Sequence, residues 1–437
     1  MARRSRSRTG RKGTAAKAGR RAFWIILLVL AFAVVAGVAF ELNYLSSSSG
    51  GMPASAPNSS YLETQISNAQ NPNNQSSGNL LVRSLSRSGN VSAFYFDYVL
   101  QGQGMAYNSS GYVYSADYYN NTVSIMHNST LVGIIKINSP WSVVYDNSNG
   151  YVYVDSHLLN SVYVIKGSRV MANLSVGESP TSMLYDPADG YIYVASFRNG
   201  SVAAISNVSM VKSIEVGPSP DYIFYSPAAR SVYVSGLLFI DQGDTGVSDN
   251  ATEIKGINIT EVATLGQGPM GRGPSMGIYD NRTGAIYFTR QISNSIVALS
   301  KNGSLLNVYN GSLAAEPFYE IYDKGNGLVY VLSSVQINGT QSVFGFSGTS
   351  LNYSFDVPDG TLALGYDPAS NSLYGVNFVY GRLYSFYGAT MEKNISTINN
   401  PTYILYDPLN NYTYVSSHFN GMVAAYNRSL ALTVIDG

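Results

Sequence analysis

Three histidines, His127, His157 and His418, and no cysteine are the whole stock of strong nitrogen and sulfur ligands in these 437 residues. Without Cys there is no disulfide scaffold, thiolate zinc site, cysteine nucleophile, iron–sulfur cluster or lipidated cysteine anchor. No G-x-S-x-G elbow, H-E-x-x-H pair or Walker loop occurs either. Gly266-Gln267-Gly268-Pro269-Met270-Gly271 fits G-x-G-x-x-G but lacks the strand–helix context that binds phosphate, and reads as a crossover loop. Asp117 and Asp155 occupy equivalent places in adjacent repeat units. Paired acids serve general acid–base chemistry, but hydrogen bonding at a blade edge explains them equally well. Asp241, Asp244 and Asp249 lie among Gly and Ser. Such hard oxygen ligands suit calcium, although the spacing is not that of an EF-hand and a solvated acidic loop is the plainer account. No catalytic residue and no cofactor is expected.

Aromatic residues make a stronger case, for binding. Tyr119, His157, Phe197, Phe378 and His418 each fall twelve residues after a recurring tyrosine. Trp141, Asp221, Phe318 and Tyr403 lie in segments that cross from one repeat unit to the next. Aromatics with a few polar groups on a concave surface suit contact with sugar or peptide; loop packing is the bland alternative. In a closed ring His418, Tyr119 and His157 belong to neighbouring units, too far apart for the two imidazoles to share a metal.

These residues are positioned by a repeat. Its anchors are Tyr107, Tyr145, Tyr185, Tyr225, Tyr279, Tyr322, Tyr366 and Tyr406, usually followed by Asp, at spacings of 38 to 54 residues. A period near 40 with several short strands per unit signifies a β-propeller. In the unit 181–220, strands are expected at Ser182–Tyr185, Tyr191–Val194, Ser201–Ile205 and Val211–Val216, with a Pro- and Gly-containing turn after the first. The expected fold is therefore all-β: four-stranded blades, eight by count with seven as the alternative. Most of the 36 tyrosines are assigned to blade packing. Two segments, Ser429 to Ile435 and Ala93 to Leu100, compete for the closing strand. Units four, five and six gain residues after strand two or in the crossover, all on one face, and collected insertions mark a binding face.

The strings Tyr151-Val152-Tyr153-Val154, Tyr191-Ile192-Tyr193-Val194, Ser231-Val232-Tyr233-Val234 and Leu328-Val329-Tyr330-Val331 resemble the YVTN β-propeller repeat. So do Asn160-Ser161-Val162-Tyr163-Val164-Ile165 and Val176-Gly177-Glu178-Ser179-Pro180. The likeness spans residues 102–437 and implies the fold and an archaeal-type cell-surface setting. It departs from the family in lacking the Asn of the name motif: Asp155 follows Val154 and Ala195 follows Val194. Known relatives are often seven-bladed.

The ends of the chain differ in charge. Residues 1–21 hold nine Lys or Arg and no acid; the remainder holds 17 basic and 26 acidic residues. Residues 22–41 contain the uncharged run Ala22 to Phe40, long enough for the roughly 30 Å hydrocarbon layer. With a basic flank before it, this is expected to be a transmembrane signal anchor with a cytoplasmic N-terminus, although Gly37 and Ala39 leave cleavage open. Residues 42–78, rich in Ser, Asn and Gly, read as a flexible stalk, and 79–437 as the propeller, with repeat units from 102. The tract abutting the span orients it, so nucleic-acid binding is not expected.

Asn-x-Ser/Thr occurs 19 times, more often than random placement of 38 Asn would give. The sites are Asn58, Asn74, Asn90, Asn108, Asn120, Asn128, Asn173, Asn199, Asn207, Asn250, Asn258, Asn281, Asn302, Asn310, Asn338, Asn352, Asn394, Asn411 and Asn427. A sequon becomes a glycan only outside the cytoplasm, and turn-rich β proteins accumulate Asn, Ser and Thr in any case. Together these features predict a membrane-anchored, glycosylated surface propeller that binds extracellular carbohydrate or protein without catalysis. The alternatives are a structural component of a surface coat and an extracytoplasmic hydrolase or oxidoreductase.

Overall fold

The structure is a computed structural model that describes residues 104–236, 250–265, 276–290, 294–301, 303–310, 316–333, 340–417, 421–427, 429–430 and 432–436. The anchor span, the stalk and the Ala93 to Leu100 segment lie outside the described residues. The chain falls into two compact units. One comprises 96–335, 341–357 and 361–437 and carries the propeller; the other comprises 1–95, 336–340 and 358–360.

The strands form eight four-stranded antiparallel sheets, each from consecutive strands. Blades 1 to 8 span 105–136, 140–175, 180–215, 220–264, 276–310, 317–358, 361–396 and 403–436. In blade 3 the strands are Pro180–Asp186, Tyr191–Ser196, Ser201–Ser206 and Ser209–Glu215. The fourth begins two residues earlier than the sequence suggests, because Asn207 adopts a positive φ of 52° and makes the turn tight.

The Asp that follows six of the eight anchor tyrosines builds the turn between strands one and two. Its Oδ1 accepts the backbone N–H two residues on: Ser148 to Asp146 at 2.8 Å, Ala188 to Asp186 at 2.7 Å, Gly325 to Asp323 at 2.7 Å and Leu409 to Asp407 at 2.9 Å. The glycine closing such a turn, Gly190, has φ +79°, a region that side-chain-bearing residues avoid.

Tyrosine also joins the blades. The second strand of every blade carries a Tyr at the same register: Tyr114, Tyr153, Tyr193, Tyr233, Tyr287, Tyr330, Tyr374 and Tyr414. Tyr114 donates to the Gly167 carbonyl at 3.0 Å, Tyr153 to Asn207 at 2.9 Å and Tyr193 to Gly256 at 2.5 Å, each in the turn between strands three and four of the next blade. Tyr287 donates to Gly348 in the same way. The ring buries while the hydroxyl ties the turn, which suits a residue with an apolar body and a polar tip.

Blade 8 meets blade 1 by the same device: Tyr414 donates to the Asn128 carbonyl at 2.7 Å across 286 residues of sequence. Met105, Val113 and Met126 pack there against Tyr414, Val423 and Ala425. The fourth strand of blade 8 is its own, Leu432–Asp436 paired to Met422–Tyr426. Among the described strands the ring therefore closes through side chains, with no blade shared between the chain ends.

Candidate functional site

The loop after strand two packs against the crossover that enters its own blade. The His157 N–H reaches the Ser139 carbonyl at 3.1 Å, and the Phe197 N–H reaches Ser179 at 3.0 Å. Asn side chains reinforce the junction: Ser139 N–H donates to Asn121 Oδ1 at 2.8 Å and Ser179 N–H to Asn160 Oδ1 at 3.0 Å. Loops and crossovers thus form one face, where Tyr119, Trp141, His157 and Phe197 lie.

On it a run of rings crosses from blade 1 to blade 2. Tyr119 meets Tyr118 edge-on at 5.3 Å, Tyr118 meets Trp141 edge-on at 5.5 Å, and Trp141 lies 6.2 Å from His157. His157 Nδ1 lies 2.9 Å from the Pro180 carbonyl of blade 3. Burial pushes its pKa down to about 4, so at neutral pH the ring is neutral and Nδ1–H is the donor. The run therefore ties three blades together. Tyr118, Tyr119 and Phe197 are half-buried, while Trp141, His157, Asp221, Phe318 and Phe378 are buried. A ligand on this face would meet the half-buried rings, with the buried ones as backing. His418 lies outside the described residues. Tyr403 aligns in the repeat with Tyr222 and Tyr319, one register deeper than Trp141, Asp221 and Phe318.

The paired acids have separate partners. Asp155 is fully buried, and its Oδ1 accepts the N–H groups of Trp141 at 3.1 Å and Ser142 at 2.6 Å, where the first strand bulges. Burial pushes its pKa up to about 8. Thr289 holds the same place in blade 5 and accepts the Met276 N–H at 3.2 Å. That recurrence gives Asp155 a structural role, capping bulge amides. Asp117 binds Asn120, through N–H at 3.2 Å and Nδ2 at 2.5 Å, and packs on Gly421 of blade 8. Burial pushes it up to about 6.

Among the described residues no group of three or more His, Asp or Glu is placed to hold a metal ion. Asp241, Asp244 and Asp249 lie outside them, as do Asn58, Asn74, Asn90, Asn302 and Asn338. Among the described residues no helix is long and apolar enough to cross a membrane. Of the sequons, Asn173, Asn258, Asn352 and Asn394 stand exposed on fourth strands, and Asn128 and Asn207 in the exposed turns before them. Asn199 and Asn281 are also exposed. The Asn120 amide nitrogen is engaged by Asp117. Asn108, Asn411 and Asn427 accept hydrogen bonds through Oδ1, from Ser110, Tyr406 and Ser429. Asn250 and Asn310 belong to the strands Asn250–Lys255 and Leu305–Asn310.

The fold defines a β-propeller. No protein-family model matches the chain, and no curated protein does. Solved structures do match. Dihydro-heme d1 dehydrogenase NirN, in complex with DHE, aligns with TM-score 0.61 and 11% identity over 76% of this chain and 74% of its own. BamB from Moraxella catarrhalis aligns with TM-score 0.56 and 11% identity over 77% of this chain and 96% of its own. A catalytically inactive virginiamycin B lyase from Staphylococcus aureus, with quinupristin, aligns with TM-score 0.51 and 13% identity over 68% and 95%. At such identity the likeness is one of fold alone. Since a dehydrogenase and a lyase stand among these neighbours, the architecture does not decide for or against catalysis.

Proposed function

We propose that this chain is a cell-surface propeller, anchored through residues 22–41 with its N-terminus cytoplasmic, that binds extracellular carbohydrate or protein without catalysis. The observation that carries the binding role is the ring run Tyr119–Tyr118–Trp141–His157, flanked by Phe197. Half-buried rings on a rigid backing offer large contact area at small entropic cost, which suits a sugar face or a peptide side chain. The resemblance to YVTN repeats, the basic flank before an apolar span and the exposed sequons support the surface setting. Asp155, whose Oδ1 is engaged by bulge amides, weighs against an acid dyad.

The test is ligand capture by the full chain, extracted from its own membranes, on arrays of surface glycans and on intact cell envelopes. Tyr119→Ala with Phe197→Ala should abolish capture at unchanged melting temperature. Capture that survives the double variant sinks the assignment of this face.

One observation favours a coat role as the second reading. The fourth strands expose apolar side chains on the ring's outer edge, including Ile134, Met171, Val211, Val262 and Leu305, between 45% and 59% accessible. Such edges pair laterally unless blunted. A coat protein would assemble into concentration-dependent arrays in sedimentation, which a solitary binding module would not.

A further inference from the structure

The outer edge of the ring carries a pattern of its own. Each described sheet ends on its fourth strand, which pairs only with the third. The outward side of that strand presents unpaired N–H and C=O groups, a template for another strand. Exposed apolar side chains collect in the same place. Of the 17 large hydrophobics that stand exposed among the described residues, 12 lie on a fourth strand or in the turn before it. Charge does not blunt this edge everywhere. The strand Leu305–Asn310 holds no charged residue, and its Leu305 is 59% exposed. An edge both unpaired and apolar invites lateral association unless something covers it.

A sequon stands on this edge in every blade. Asn173, Asn352 and Asn394 lie inside the fourth strands Arg169–Ser175, Ser350–Pro358 and Thr390–Ser396, and Asn258 begins Asn258–Thr264. Asn128, Asn207 and Asn427 fall in the turns that lead into the fourth strands of blades 1, 3 and 8. Blade 5 has Asn310 at the end of its fourth strand and, outside the described residues, Asn302 before it. The composition of turns does not account for the sites within strands, because Asn is depleted in strands. Asn173, Asn258, Asn352 and Asn394 are exposed, so a sugar attached there meets solvent. The apolar side chains are close along the chain: Val208 follows Asn207, Ile259 follows Asn258, and Met171 precedes Asn173 by two residues.

We propose that the outer strands carry a belt of N-linked glycans, at least one per blade, that covers their apolar side chains and keeps a second copy of the chain from pairing with them. The belt rests on the extracytoplasmic setting proposed above. Pairing needs two strands about 4.8 Å apart along the ladder. A bulky, hydrated oligosaccharide on the edge holds a second strand off beyond that distance. Partners then meet the chain through its loop face and not its rim, and the coat reading loses the surface that favours it.

Two measurements on the full chain, extracted from its own membranes in detergent, test this. Glycopeptide mass spectrometry should find glycan on the fourth-strand sites Asn173, Asn258, Asn352 and Asn394. Bare fourth strands beside glycan at a turn site such as Asn281 would overturn the belt alone; glycan at no sequon would overturn the belt and the surface setting together. The second measurement is sedimentation of a rim variant with Asn173→Gln, Asn258→Gln, Asn352→Gln and Asn394→Gln, joined by Thr130→Ala and Ser209→Ala. The last two remove sequons yet keep Asn128 and Asn207, whose φ of 54° and 52° suits Asn. This variant should self-associate about tenfold or more tightly than wild type at unchanged melting temperature. Adding Met171→Lys and Val262→Lys should reverse the association, since charge on an edge also blunts it, and that reversal separates edge pairing from misfolding. Asn281→Gln with Ser110→Ala, which removes two sequons away from the rim, should sediment as wild type does. A rim variant that sediments as wild type, or whose association survives the two lysines, would overturn the proposal.

Discussion

Replacing Tyr414 by Phe removes one oxygen atom at the point where the ring closes. The hydroxyl donates to the Asn128 carbonyl at 2.7 Å and accepts from Asn410 Nδ2 at 3.0 Å. The ring itself stays, so the apolar contacts with Met105, Val113 and Met126 survive. Asn128 is an exposed turn residue, so water can serve its freed carbonyl. The loss is then the net value of one neutral hydrogen bond, about 1 kcal/mol. At an unfolding entropy of ~2 cal/mol/K per residue, a propeller of this size should lose about 1–2 °C in Tm. Tyr153→Phe removes the equivalent bond to Asn207 inside the ring and should cost the same in calorimetry. The two variants should part in hydrogen exchange. Among the described strands blades 1 and 8 share none, so Tyr414→Phe should speed exchange in 105–136 and 403–436, whereas Tyr153→Phe should leave those blades alone. If Tyr414→Phe exchanges like wild type in blades 1 and 8 while Tyr153→Phe destabilises its own neighbours, closure does not depend on this tyrosine.

The carboxyls of Asp155, Asp117 and Asp186, pushed by burial to about 8, 6 and 6, bind protons in the folded chain that they have lost in the unfolded chain. Stability should therefore fall as pH rises from about 4 to 8. His157, pushed down to about 4, works the other way between about 4 and 6.5, one group against these three and against Glu320 and Asp407, which burial also raises. Melting temperature should fall between pH 6.5 and 8, and Asp155→Asn should flatten that fall; a rising wild-type curve over that window contradicts these assignments. Gly200→Ala sets a methyl 2.8 Å from the Gly217 carbonyl oxygen at φ +67°, and should cost more than the ~1 kcal/mol of the backbone effect alone, read as a loss in urea midpoint at constant m. Glycopeptide mass spectrometry should find glycan at exposed Asn173, Asn258 and Asn394 but not at Asn120, whose amide nitrogen is held by Asp117; full occupancy of Asn120 would refute the geometry.

The architecture was legible because a repeat writes the same physics many times. The anchor tyrosines end the first strands, the Asp after them makes the turn, and the blade count follows from the anchors. Closure was not legible, since both Ser429 to Ile435 and Ala93 to Leu100 have strand composition; pairing of Leu432–Asp436 within blade 8 assigns that blade's fourth strand. Assigning the tyrosines to packing captured half their role, because the hydroxyl of Tyr153 or Tyr414 finds a carbonyl in another blade that no local pattern names. The loop face was legible as a column but not in depth. Trp141 and Phe318 look like contact residues by type and position, yet both are buried, Trp141 against Tyr118.

Glu320 was hidden for the opposite reason. Glu320 sits inside a strand, Pro317–Asp323, two residues from an anchor tyrosine, where a search of loops passes over it. Its signal lies in comparison between units: only in the fully aligned column does a carboxyl stand out against Val143, Met183, Ile223 and Leu364. In a propeller, equivalence along the chain identifies the residue that breaks the pattern, and closure decides which such residues can meet.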